Sequence, residues 1–154
     1  FSTIVSFNYG AKLYKRVKKI LSETIFLNTV FSTLVFLVLM IFPEQLLGFF
    51  SKDQEFIKLG IKPLRILIIF FPFLCFQFIG GTFFQAIGKA FPATVITLSR
   101  QVLFLIPAII LFPIFWGLTG ILASWPFSDF MDIIICAIFI FREIKNINKA
   151  ILID

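Results

Sequence analysis

Of the 154 residues, 60% are hydrophobic, 24 are Phe and only 14% are charged, against roughly 25% charged in soluble domains. A water-soluble chain of this length buries only about two-thirds of its surface, so this much apolar side chain requires lipid around it, and a soluble enzyme or domain is excluded. The formal net charge of +6 does not point to nucleic acid, because the Lys and Arg residues flank apolar runs and form no separate basic domain.

In chain order, Phe1 is preceded by neither Met nor a charged n-region with a cleavage site, so no signal peptide is visible and a truncated start is expected. Residues 12–23 follow, with Leu13, Val17, Ile20 and Leu21 on one helical face and Lys15, Arg16, Lys18 and Lys19 around the rest. That pattern predicts an amphipathic helix lying at the membrane interface. Residues 24–42 are free of charge, close to the ~20 residues that one spanning helix needs. Residues 66–88 form a second charge-free run, and 101–128 a third of 28 residues. The third is long for one helix and short for two. The Trp116-Gly117-Leu118-Thr119-Gly120 punctuation predicts a tight turn there, dividing it into spans at about 101–117 and 120–141. A tail over 142–154 repeats the amphipathic device with Ile144, Ile147 and Ile151. The expected fold is an all-α membrane protein, a polytopic helical bundle of four spanning helices plus the end of a preceding one.

Lys and Arg counts give the orientation. The segment before the first span, the 89–100 loop and the tail together hold ten, whereas the 43–65 loop and the 117–120 turn hold four. The first group, with the C-terminus, is therefore expected on the cytoplasmic side of the cell membrane.

Several residues exceed what a simple anchor needs. Gln77, Gly81, Gln85 and Gly88 share one stripe of their helix. They serve either close helix packing or a polar pathway for an ion or substrate. Asn28 and Ser32 form a similar pair in the first span. Pro72, Pro107, Pro113 and Pro126 each remove a backbone hydrogen bond inside an apolar run and predict helix kinks. Asp129 and Asp132 stand at i, i+3 in the last span, on a face with Trp125 and Cys136. Each acid costs ~2.5–3.5 kcal/mol in a membrane, so both are expected to face the bundle interior, as a hydrogen-bonded structural pair or as a proton or cation site. Asp129 follows Pro126, where an interrupted helix would offer unpaired backbone groups. No His is present, and Cys75 and Cys136 are isolated, so no metal site or disulfide is expected, and no cofactor.

Ser6-Phe7-Asn8-Tyr9-Gly10-Ala11-Lys12 with Lys15-Arg16-Val17, Phe84-Gln85-Ala86-Ile87-Gly88-Lys89, Ser99-Arg100-Gln101 with Pro107, Gly117-Leu118-Thr119-Gly120 and Pro126-Phe127-Ser128-Asp129 occur in this order. Together they resemble the last third of multidrug and toxic compound extrusion (MATE) transporters, most closely the bacterial MepA-like branch. The resemblance implies twelve helices in two bundles, exporting cationic or amphipathic drugs against an inward flow of Na+ or H+. This chain would hold the end of helix eight and helices nine to twelve, and would need the N-terminal bundle as a partner. Some members place an acid in helix ten; the matching run here has only Gln77 and Gln85. A lipid-linked oligosaccharide flippase of the same superfamily and an inactive truncated fragment share these features. An intramembrane aspartyl protease would need YD and GxGD contexts, and neither occurs.

Overall fold

The computed structural model describes residues 1–153; Asp154, the end of the expected tail, lies outside the described residues. All regular structure among them is helical. Helix α1 (Ser2–Gly10) leads through a turn to α2 (Tyr14–Ile41), then α3 (Pro43–Phe50), α4 (Gln54–Leu67), α5 (Phe71–Ala86) and α6 (Ala90–Leu98). A widened π-helical turn, Ser99–Leu105, joins α6 to α7 (Ile106–Ile153).

Helix α2 is 28 residues long, about 42 Å at 1.5 Å per residue. It is long and apolar enough to cross a membrane. The amphipathic segment 12–23 is not a separate interfacial helix but the first turns of this one. No Gly or Pro occurs between Tyr14 and Ile41 to break it, and Val17 and Leu21 are fully buried in the core beside Val5 of α1.

The 66–88 run, expected as one helix, is broken at Ile68–Phe70, where α4 and α5 meet at a 46° bend. Pro72 is the cause. It has no N–H to give the carbonyl of Ile68, which accepts instead from Phe71 N–H at 2.9 Å. Pro72 thus stands in the first turn of α5, a position where a missing donor costs nothing, and it is not a mid-helix kink. Within the 43–65 connection, expected as a loop, α3 and α4 form, and the Asp53 carboxylate caps α4 by accepting from Glu55 N–H at 2.9 Å.

Helix α5 ends on Gly88, whose φ of 74° only glycine adopts freely. Lys89 N–H donates to Phe84 O at 2.9 Å and Gly88 N–H to Gln85 O at 3.1 Å, a Schellman closure. Gly88 therefore leaves the stripe predicted for it and terminates the helix. Gly80, which the stripe omitted, packs α5 onto α7: a Cβ there would run into Cys136 Sγ and come within 3.2 Å of Ile140. Gly81 faces Ile96 and Thr97 of α6.

The predicted turn reduces to one residue. Gly117, at φ 54° and ψ −135°, is the one departure from helical geometry within α7. The chain reverses there. A straight helix would separate residues 100 and 129 by about 44 Å, yet Arg100 Nε and Asp129 Oδ1 are 2.7 Å apart. Phe112 and Phe127 stack across the hairpin with ring centroids at 5.1 Å. Gly120 passes so near the Phe112 carbonyl that no side chain fits. Pro113 and Pro126 both lie in helical backbone, so Pro126 does not interrupt the helix before Asp129. Pro107 is the second residue of α7, two positions past the π-helical turn, and that wider turn accommodates the donor missing toward residue 103.

The buried core, including Val17, Leu21, Phe83, Phe84, Ile96, Ile140 and Ile147, gathers α1, α2, α5, α6 and the end of α7. Lys18 donates to Asn148 at 3.2 Å and Lys89 pairs with Glu143 at 2.5 Å. These contacts set the start of α2, the α5–α6 connection and the end of α7 at one end of the bundle. Outward, Phe26, Phe31, Val38, Ile110, Ile114 and Phe115 are exposed, an apolar surface far beyond that of a soluble monomer.

Candidate functional site

The hairpin closed at Gly117 gives α7 one buried stripe: Ser124, Ser128, Asp132, Cys136, Ile140, Glu143 and Ile147, with Asp129 beside it. The spacing of four, once three, residues keeps these side chains on one face. Asp129 and Asp132 face the interior as expected, at 2% and 0% exposure. Trp125 does not join them; it is 41% exposed.

Opposite the two acids stands the π-helical turn. The Ser99 hydroxyl donates to Asp132 Oδ1. Arg100 Nε lies 2.7 Å from Asp129 Oδ1, an ion pair by distance that lacks the alignment of a full hydrogen bond. The other Asp132 oxygen, Oδ2, is buried without a partner. The cluster therefore holds two carboxyl groups, one guanidinium and one free acceptor. The Arg100 guanidinium offsets one of the two acidic charges, and the buried Oδ2 of Asp132 is the acceptor left open beside it. The widened turn contributes by turning consecutive residues, Ser99 and Arg100, toward α7, a placement for which π-type turns recur at functional sites.

Arg100 also lines a hollow of about 270 Å³ with Gln77, Gly81, Gln85, Thr97 and Gln101. Gln77 is buried, and its Oε1 has no partner. Gln77, Gln85 and the acid pair, read separately from the sequence, are thus joined through Arg100, which composition presented only as a loop cation. A signal was available. Arg100 and Asp132 stand 17 and 15 residues either side of Gly117, so a hairpin centred there places them opposite each other.

Asn28 is not part of this site. Its amide donates to Thr24 O within α2 at 2.9 Å. Its neighbour Ser32 is the residue that reaches across, donating to Pro72 O at 2.9 Å. A second ion pair escaped the sequence reading: Lys89 and buried Glu143 at 2.5 Å, pinning the α5–α6 connection to the end of α7. Among the described residues no group of three or more His, Cys, Asp or Glu side chains forms a metal cluster.

The chain matches the MatE family over residues 1–111. It is 35% identical, with a TM-score of 0.86, to the MATE multidrug transporter DinF-BH, solved in complex with a bound compound, over 92% of this chain and 32% of that one. A MATE family transporter of the MOP superfamily, solved facing inward, matches at 18% identity and a TM-score of 0.87, over 96% and 35%. That likeness shows the fold alone. None of the curated proteins matches. The chain spans about a third of the length of the solved transporters it resembles. A helical bundle of the MATE transporter fold, matched by the family over most of its length and 35% identical to a member, belongs to the MatE family.

Proposed function

We propose that this chain is the C-terminal portion of a cation-coupled multidrug efflux antiporter that works with an N-terminal bundle in the cell membrane. It would export cationic or amphipathic compounds against inward Na+ or H+, and perform no catalysis. The observation that supports this most is the 35% identity over 92% of the chain to a multidrug transporter solved with a bound compound. The charge asymmetry supports a cytoplasmic C-terminus. Membership of the bacterial MepA-like branch rests on the ordered set of motifs from residue 6 to residue 129.

Within that reading Asp132 is the coupling acid and Asp129 its positioning neighbour. Asp129 is engaged by Arg100, whereas Asp132 keeps one buried oxygen free. This reverses the emphasis on Asp129, since Pro126 leaves no interruption there. The experiment measures substrate efflux driven by a proton or a sodium gradient in the intact transporter, normalised to folded protein. Asp132→Asn should retain folding and lose gradient-driven efflux. Full coupling in that variant would remove the ion-site assignment and leave the acid a structural one.

A further inference from the structure

We infer that the start of α2 and the end of α7 form a binding site for the headgroup of an anionic phospholipid. The inference rests on the membrane reading of the chain and not on its transport function. A hollow of about 360 Å³ opens between Lys12, Leu13, Tyr14, Lys15, Arg16 and Ile151. Three of the six lining residues are cationic, the other three are apolar or aromatic, and none is acidic. Among the described residues, Glu23 pairs with Lys19 at 3.7 Å and Glu143 with Lys89 at 2.5 Å. Among the described residues no acidic side chain pairs with Lys12, Lys15 or Arg16.

Depth argues for a lipid. Helix α2 begins here and runs on as an apolar helix long enough to cross the bilayer, so its first turn lies at headgroup level. Tyr9 and Tyr14 meet edge to face at this point, with centroids 5.6 Å apart, and Tyr is enriched at that depth. Lys12, Lys15 and Arg16 are exposed, and Ile151 and Tyr14 are half-buried. A phosphate therefore meets cations while the acyl chains leave along apolar residues. The start of α2 adds positive partial charge, since its cap residue, Leu13, has no side-chain acceptor.

Each Lys or Arg near an anionic lipid surface contributes a factor of about five in affinity. The test uses the chain in phosphatidylcholine nanodiscs with trace spin-labelled phosphatidylglycerol or phosphatidylcholine, reading the immobilised fraction of each. Three such factors set an upper bound of about a hundredfold; because the cations are exposed, phosphatidylglycerol should be preferred by about tenfold at low salt, and less at high salt. The variant K12Q/K15Q/R16Q should bring the preference to within about twofold. The variant K52Q/K58Q/K62Q removes equal charge at the far end of α2 and should change nothing. Ile151→Trp should lower the preference by filling the hollow without altering charge. A preference unchanged in the first variant, or lost equally in the second, overturns the site. A preference that survives Ile151→Trp shows diffuse attraction and overturns it too, as does displacement by millimolar inorganic phosphate, which would make it a free-anion site. None of these results bears on drug export, which is read separately by efflux.

Discussion

The ion pair between Arg100 and Asp129 admits a quantitative test with an asymmetric outcome. Asp129 is 3% exposed at its side chain, whereas Arg100 keeps 21%. Arg100→Gln strands two buried carboxyl groups, Asp129 and Asp132, with no cation between them. Breaking a buried pair in that way costs about 3–5 kcal/mol. Asp129→Asn instead strands a guanidinium that reaches partly into the hollow beside Gln77 and Gln101 and still has Asp132 nearby. Partial solvation lowers that cost to about 1–3 kcal/mol. The double variant leaves two amides that can hydrogen-bond, so its loss should fall short of the sum of the single losses by about 2 kcal/mol. The assay is SDS-driven unfolding in bicelles, followed by fluorescence. The chain has only two Trp residues, Trp116 and Trp125, and both lie in the hairpin that the pair closes. Additive losses within about 0.5 kcal/mol would refute the coupling. A loss in Asp129→Asn equal to that in Arg100→Gln would refute the assigned asymmetry of burial.

Two further outcomes follow from the packing and the topology. Gly80→Ala should cost about 1–3 kcal/mol in the same unfolding assay, because its methyl group meets Cys136 Sγ; Cys136→Ala in that background should recover most of the loss, and a neutral Gly80→Ala would mean that α5 and α7 sit farther apart. Cysteines introduced at residues 15, 93 and 148 of the intact transporter should resist an impermeant thiol reagent outside cells while one at 54 reacts, and the reverse pattern would invert the proposed orientation.

How much of this was legible in the sequence depended on how local each determinant is. The apolar runs, the Gly117 turn and the inward-facing acids follow from spacing and cost over a few residues, and the structure contains all three. The continuity of α2 was also legible, since the absence of Gly and Pro from 14 to 41 outweighs the change from amphipathic to apolar pattern. That change reflects which neighbours the helix meets, not where it ends. The break before Pro72 required noticing that an absent donor acts four residues upstream, at Ile68, and not at the proline itself. Gly88 reads equally well as a stripe member or a helix stop, and only its positive φ separates the two.

The site itself was half visible. Burial of Asp129 and Asp132 is dictated by what an acid costs in lipid, so their inward placement needs no partner to be known. Arg100 is different. Its charge at the edge of an apolar run is equally consistent with a solvated loop, and long cationic side chains near helix ends commonly reach outward. What turns it inward is register across the hairpin. The π-helical turn at Ser99–Leu105 rotates Arg100 relative to a regular helix, and Pro107 supplies the local cause. The same turn sets Ser99 against Asp132 and Arg100 against Asp129, leaving Asp132 the acid with a free oxygen. The coupling role proposed for Asp132 thus depends on a proline 25 residues away in sequence, through the register that its missing N–H imposes.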